Sequence, residues 1–268
     1  LNKSIGILGC GWLGKPLSIY LLSRGYKVRG TTTRSEKKKE LEAFGIATTI
    51  IKLTSDGFDG PISEFLKGLD VLIFNIPPGL RKQPQSDFVG KVNHLLIALR
   101  QIPVPRLIYI SSTSVYGRLQ GRVDESILPL PDTPAGKQLL EAENLIWQDR
   151  IARATLIIRL GGLLGPRRHP VITLSGKSDL SGGSDPVNLI HQEQAIQIIH
   201  MALERTGWEG LLNAVHPDHP IKAVFYTEEA RRMGLAPPIY HKGEKPMPAK
   251  QVLSQFAPEL RYIFKDRL

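Results

Sequence analysis

Ile5-Gly6-Ile7-Leu8-Gly9-Cys10-Gly11-Trp12-Leu13-Gly14-Lys15-Pro16-Leu17 decides how the rest of the chain is read. A short apolar run enters this stretch and a helical pattern leaves it. Gly9, Gly11 and Gly14 stand between the two at G-x-G-x-x-G spacing. Each glycine answers a different need. Gly9 makes the tight turn out of the strand, Gly11 lets backbone approach a pyrophosphate with no side chain in the way, and Gly14 lets the helix pack closely on the strand. The N–H groups at the helix start have no intrahelical partners, so they face an anion. Trp12 and Leu13 lie inside the loop and join the three glycines as candidate contacts of a dinucleotide. Pro16 fits the first helical turn, where a missing N–H costs nothing. Gly25 is placed to end the helix.

Outward from the loop, a second strand is expected over Tyr26 to Gly30. Its end faces the adenosine ribose of a dinucleotide, where an acid about 20 residues past the first glycine ordinarily bonds the 2′-hydroxyl. Here the chain reads Thr31-Thr32-Thr33-Arg34-Ser35-Glu36-Lys37-Lys38. No acid stands at the strand end; hydroxyls come first, then a guanidinium, then lysines. That donor set suits a 2′-phosphate, so Thr32, Arg34 and Ser35 are assigned to it and NADP is favoured over NAD.

Strands and helices then alternate. A short helix is expected from Glu36 to Phe44, a third strand from Ala47 to Leu53, and another helix from Ser63 to Leu69. Asp70 to Ile76 reads as a strand apolar on both faces, which is the mark of a covered parallel sheet. Its end, Ile76-Pro77, is expected to border the cofactor. A helix over Phe88 to Leu99 and a strand over Arg106 to Ile110 complete a βαβαβαβαβ order, which argues for a doubly wound parallel α/β sheet.

Composition narrows the partners. With 35 Lys and Arg against 25 Asp and Glu the formal charge is +10. The basic clusters Lys37-Lys38-Lys39, Arg167-Arg168 and Arg231-Arg232 are scattered and carry no interleaved aromatics, so nucleic acid is not the expected partner. No apolar run approaches the ~20 residues of a membrane span, so no membrane partner is expected either. The first apolar stretch is the glycine motif itself, so no signal peptide is expected. One cysteine excludes an intrachain disulfide and fits a cytoplasmic location. Cys10 reads as a small loop-filling residue rather than a reactive thiol.

The expected fifth strand runs into Ser111-Ser112-Thr113-Ser114-Val115-Tyr116-Gly117, followed by Gly136-Lys137, Thr155 to Leu160, Gly165-Pro166 and Asn188-Leu189-Ile190-His191. In this order and spacing the chain resembles the extended short-chain dehydrogenase/reductases, the NAD(P)-dependent epimerase and dehydratase family, over nearly its whole length. The resemblance implies a Rossmann-type fold with a cofactor domain at 1–165 and a smaller substrate-side region at 166–268, of which 188–215 folds back onto the first. It implies a dinucleotide cofactor and a small-molecule substrate, a hydroxyl or carbonyl compound or a nucleotide sugar. A homodimer would use the helices flanking the sheet.

Two departures from the family pattern matter. The family's usual glycine spacing is G-x-x-G-x-x-G. Its chemistry also centres on a Tyr-x-x-x-Lys pair, in which the phenol is the general acid/base and the ammonium holds the nicotinamide ribose and lowers the phenol pKa. Here, if Lys137 is the motif lysine, Thr133 takes the tyrosine position; if Pro134-Ala135-Gly136 is aligned instead, Ala135 and Leu139 take the two positions. Neither register yields the pair. The chain is therefore most similar to an atypical, YeeZ-like branch without the active-site tyrosine. Ser112 matches the family serine that bonds the substrate oxygen, and Ser111 sits beside the cofactor. Tyr116 is a structural or substrate-lining residue with an outside claim to be a replacement acid. Lys137 either contacts the cofactor ribose or is a surface lysine.

In the C-terminal part, Arg167 or Arg168 would suit a diphosphate. His191 is a possible acid/base or a helix-start residue. The expected elements there are a helix over Gln192 to Glu204, a strand over Leu211 to Val215, a helix over Lys222 to Met233, a short strand at Ile239 to His241 and a helix over Val252 to Phe256. Two functional classes remain open: an enzyme with a non-standard active site, and a non-catalytic NADP(H) redox sensor or scaffold.

Overall fold

The structure is a computed structural model that describes residues 3–80, 83–241, 243, 247–261, 263–264 and 268. In chain order the elements are β1 (Ser4–Leu8), α1 (Gly14–Ser23), β2 (Lys27–Thr32), α2 (Ser35–Glu42), β3 (Ala47–Ile50), β4 (Lys52–Thr54), β5 (Gly57–Asp59) and α3 (Ile62–Leu66). Then come β6 (Val71–Phe74), α4 (Phe88–Gln101), β7 (Arg106–Ser112), β8 (Arg122–Val123), α5 (Pro134–Asp149), β9 (Ala154–Leu160), β10 (Gly162–Leu164) and α6 (Pro170–Leu174). The chain ends with β11 (Leu189–His191), α7 (Gln192–Glu204), β12 (Gly210–Ala214), α8 (Lys222–Arg232), β13 (Gln251–Val252) and α9 (Ala257–Leu260).

Seven strands form the central sheet, in the order β3-β2-β1-β6-β7-β9-β12. Numbered by their turn in the chain, its strands run 3-2-1-4-5-6-7, the doubly wound order whose direction reverses between the first and fourth strands. β1 pairs in parallel with both β2 and β6, and β6 with β7. All four residues of β6 are buried, as are Ile5, Ile7 and Leu8 of β1, because helices cover both faces. The Phe74 ring stacks on Tyr109 at 5.2 Å and on Phe88 at 6.0 Å, tying β6 to β7 and to the start of α4.

The chain divides into two compact units, each discontinuous in sequence. The first comprises Leu1–Ser112, Thr133–Arg159 and Ile199–Leu211, the second Thr113–Asp132, Leu160–Ile198 and Leu212–Leu268. The first unit holds most of the sheet. The second has its own core, in which Leu164, Val171, Val187 and Leu189 pack with Phe225, Tyr226 and Ala230.

Three local expectations are corrected. The third strand does not run unbroken to Leu53: it stops at Ile50, and β4 then folds antiparallel onto β5 around a turn in which Gly57 has φ 141°. Ile239 to His241 is no regular strand, since only an isolated bridge joins Tyr240 to Leu180. Val252 to Phe256 is not helical. Val252 ends β13, which lies parallel to β8, and helix resumes only at Ala257. Leu253 N–H donates to the Val123 carbonyl, while Val252 and Gln255 N–H donate to the Asn188 and Glu125 side chains, partners invisible in local periodicity.

Candidate functional site: the glycine loop and the residues around it

The reversal in strand order places the C-terminal ends of β1 and β6 side by side, and the glycine loop leaves β1 at this point. The loop is pinned from both flanks. Gly9 N–H donates to Thr31 Oγ1 at 2.9 Å and Cys10 N–H to the Thr31 carbonyl at 2.9 Å, both on the β2 side. From the β6 side the Asn75 amide donates to the Gly9 carbonyl at 3.1 Å.

The three glycines are glycine for three separate reasons. Gly9 has φ 109°, and a Cβ there would lie 2.9 Å from the Asn75 carbonyl oxygen. Gly14 opens α1, and its Cβ would lie 2.3 Å from the Gly9 carbonyl oxygen, so the helix approaches the strand end too closely for alanine. Gly11 is different. It is exposed, its φ is not in the left-handed region, and a Cβ would meet nothing within 4 Å. No protein atom requires Gly11 to lack a side chain. A Cβ there would point into open space, in the cradle where a pyrophosphate would lie.

A cavity of about 260 Å³ opens beside the loop. Gly9 and Gly11 form its floor, with Thr32, Arg34, Ile76 and Pro77 among its lining. Lys37 and Lys52 also line it, and among the described residues no Asp or Glu does. Its charged groups are therefore all cationic. Thr32 is buried and its hydroxyl accepts from Arg34 N–H at 3.4 Å, while the Arg34 side chain is exposed at the N-cap of α2. Trp12 is half-buried and Leu13 is buried at the N-cap of α1. Ser35 is exposed, bonds Glu36 at 3.3 Å and does not line the cavity. Cys10 is buried against Ser18 at 3.6 Å, and burial pushes its thiol above the ordinary value, which suits a packing residue. Its sulfur also occupies the space that a Cβ on Gly30 would take, 2.5 Å away.

Lys37, Lys52 and Asn75 were not singled out as site residues from the sequence. Two signals were available: Lys37 lies one helical turn past Arg34 and so shares its face, and Asn75 is a lone polar residue closing an apolar strand. Lys52 carried no signal, because its position depends on the break after β3.

Ser111 is buried and is not among the residues lining this cavity. Its hydroxyl donates to Glu143 at 2.5 Å, and Glu143 is held by Arg159 through Nε at 3.1 Å and Nη2 at 2.6 Å. The Arg159 and Glu143 side chains are each 3% exposed. This is a buried, bidentate, hydrogen-bonded pair that fastens α5 to β7 and β9. Ser112, the next residue, is half-buried. Thr133 is the N-cap of α5, its hydroxyl accepting from Gly136 N–H at 3.0 Å. Lys137 is exposed on the first turn, whereas Leu139 is 5% exposed and belongs to the core. No tyrosine occurs anywhere in α5.

In the second unit Tyr116 is 1% exposed. Its phenol donates to the Asp124 carbonyl at 2.8 Å and accepts from the Asn213 amide at 3.2 Å. Both bonds hold the phenol within the second unit. Lys250 donates from Nζ to the carbonyls of Thr113 and Tyr116 at 2.8 and 2.9 Å, and burial lowers its ammonium pKa to about 8. Asn188 clasps the same segment, donating to the Lys250 carbonyl at 2.9 Å and accepting from Val252 N–H at 2.7 Å. These contacts hold the strap that carries β13 on the turn after Ser112. The adjoining segment places His191 half-buried at the end of β11, with burial the main cause of its lowered pKa. Arg167 and Arg168 are exposed on a tight turn closed by two hydrogen bonds between Gly165 and Arg168. Among the described residues no group of His, Cys, Asp and Glu could hold a metal ion, and no helix is long and apolar enough to cross a membrane.

Comparison with known proteins agrees with this geometry. The profile of the NAD dependent epimerase/dehydratase family matches residues 5–207. Protein YeeZ of Escherichia coli (strain K12) is 34% identical over 241 residues, 89% of this chain and 86% of its own length. Among solved structures, a UDP-N-acetylglucosamine 4-epimerase from Methanobrevibacter ruminantium M1, in complex with UDP-N-acetylmuramic acid, superposes with a TM-score of 0.77. It is 17% identical and covers 97% of this chain and 92% of its own. MoeE5 in complex with UDP-glucuronic acid and NAD gives a TM-score of 0.75 at 18% identity, covering 96% of this chain and 92% of its own. With three separately explained glycines at the point where the strand order reverses and a family profile spanning most of its length, the chain belongs to the NAD dependent epimerase/dehydratase family.

Proposed function

We propose that the chain binds NADP(H) in the glycine-loop cavity and acts as a reductase- or epimerase-type enzyme without the usual phenol–ammonium pair. The observation that carries the cofactor reading is the conjunction of an unobstructed Gly11 with a lining whose charged groups, among the described residues, are Arg34, Lys37 and Lys52. An adenosine 2′-phosphate adds about two negative charges there, and a guanidinium with two ammonium groups offsets them through charge-assisted hydrogen bonds. An NAD site would instead place a carboxylate against the ribose diol. Bound, the nicotinamide supplies hydride transfer. The protein's part is to cradle the pyrophosphate on the α1 N-terminus and to hold a substrate oxygen with the Ser112 hydroxyl. The substrate class is a hydroxyl or carbonyl compound, nucleotide sugars first, by analogy with the UDP-sugar complexes of the structural neighbours.

A specific observation favours a second reading. Tyr-x-x-x-Lys occurs nowhere in the chain, and the residue that heads α5, Thr133, spends its hydroxyl on the helix cap. Near neutral pH a threonine hydroxyl is not ionised and so cannot take a proton from a substrate hydroxyl, and alanine has no titratable group. On this reading the chain is a non-catalytic sensor of NADP(H). Incubation with NADP(H) and a panel of UDP-sugars, followed by proton NMR of the sugar and absorbance of the nicotinamide, separates the two. The enzyme reading expects turnover that falls in Ser112→Ala. Cofactor binding without turnover of any sugar gives the sensor reading.

A further inference from the structure

A second cleft lies at the opposite edge of the sheet. It is a cavity of about 280 Å³ lined by Trp147, Arg150, Ala152, Arg153, Thr155 and Glu209. Thr155 stands at the N-terminal end of β9, whereas the glycine loop leaves the C-terminal end of β1, so the cleft is remote from the cofactor cavity.

Four features set it apart from an ordinary surface dent. Trp147 is 49% exposed, so a large planar ring faces solvent at the end of α5. Arg150, the C-cap of α5, has φ 47°, a left-handed conformation that glycine or asparagine ordinarily takes. Strain of this kind tends to persist where the side chain has a task. Neither the Arg150 nor the Arg153 guanidinium has a partner among the described residues. Finally, buried polar atoms in this region have no partner among the described residues. Thr155 is 8% exposed and its hydroxyl has no hydrogen-bond partner. Arg106 begins the strand beside β9 and is 6% exposed, yet its Nε and Nη1 lack partners, with only Nη2 donating, to the Arg205 and Trp208 carbonyls. Such orphaned donors are rare in native proteins and call for an explanation.

We propose that this cleft is a second ligand site, built for a nucleoside monophosphate. The base stacks on the Trp147 indole, the phosphate sits between the Arg150 and Arg153 guanidiniums, and Glu209 accepts from the ribose hydroxyls. The buried Arg106 does not line the cleft but feels the charge of Glu209, which does. Guanidinium forks suit phosphate geometry, and indole faces suit purine rings. Neither the glycine-loop reading nor the missing tyrosine bears on this site, so the inference stands apart from the proposed function.

The probe is adenosine 5′-monophosphate, titrated by calorimetry into the Gly11→Val chain, in which the cofactor cradle is blocked. Inorganic phosphate and adenosine are titrated separately. The expected result is one site for the nucleotide, tighter than for either fragment. It weakens at least about tenfold in Arg150→Ala/Arg153→Ala, as loss of a charge-assisted contact implies. Trp147→Phe, which keeps a ring, retains most of the affinity, and Trp147→Ala loses it. All substituted side chains are exposed, so the variants keep the fold, checked by an unchanged Tm. The proposal is overturned if Gly11→Val alone abolishes nucleotide binding, if the double arginine variant binds as tightly as its parent, or if inorganic phosphate binds as tightly as the nucleotide.

Discussion

Alanine at Gly14 and alanine at Gly11 are the same substitution three residues apart, and the structure assigns them opposite consequences. At Gly14 the added Cβ would sit 2.3 Å from the Gly9 carbonyl oxygen. An ordinary C···O approach is roughly 3.3 Å, so something must move by about 1 Å. The obstructing atom is backbone, fixed by the Asn75 amide, and its own residue is anchored to Thr31. Relief therefore means shifting α1 away from the strand end. Overpacking of this kind costs about 1–3 kcal/mol. At roughly 2–4 °C per kcal/mol for a chain of this size, Tm falls by about 2–12 °C. At Gly11 the Cβ meets nothing within 4 Å, and the backbone suits an L-residue. Losing glycine restricts the unfolded chain and stabilises by about 0.4–1 kcal/mol, so Tm holds or rises by a few degrees. The methyl group nevertheless occupies the cradle, and NADPH affinity drops at least about tenfold, or 1.4 kcal/mol. Scanning calorimetry gives the two Tm values and titration calorimetry the affinity. A Gly14→Ala chain as stable as the parent, or a Gly11→Ala chain that melts early and binds NADPH normally, refutes the division of roles between the glycines.

Three further outcomes follow from the same geometry. Arg34→Ala and Lys37→Ala each weaken NADPH about tenfold or more and leave NADH nearly unchanged, as parallel titrations will show; equal losses for both cofactors sink the 2′-phosphate assignment. Glu143→Ala strands the Arg159 guanidinium in the core and costs about 3–5 kcal/mol, seen as a fall in Tm of roughly 10 °C, whereas a change under about 1 kcal/mol would mean that the pair is solvated. Lys250 has a folded pKa lowered to about 8 from 10.5, so between those values the unfolded chain binds the extra proton and stability rises with pH. Urea unfolding across that window should show the parent gaining on the order of 1–3 kcal/mol relative to Lys250→Met; a constant difference between the two would show that the amine titrates normally.

Much of the first unit was legible because its signals are local. The glycine spacing, the apolar run through Phe74 and the helical spacing of apolar residues over α4 all act within a few residues. What was missed depends on partners far along the chain. β13 exists because it pairs with β8, more than a hundred residues earlier, and no periodicity announces a two-residue strand. The Glu143–Arg159–Ser111 cluster likewise joins three elements, and no local pattern announces that the Ser111 hydroxyl donates to a carboxylate 32 residues on. The place of Arg34 beside the cavity was readable because the end of the second strand in a doubly wound sheet is position-specific. Lys52 was not, because the break at Ile51 that carries it to the cavity comes from the hairpin that follows.

The most direct measurement is calorimetric titration of the purified chain with NADPH, NADH, NADP and NAD at low and at moderate salt. The account predicts that the phosphorylated forms bind preferentially, by tenfold or more, and that the preference shrinks as salt screens Arg34, Lys37 and Lys52. Binding of NADH as tight as NADPH, or binding of neither, would contradict it.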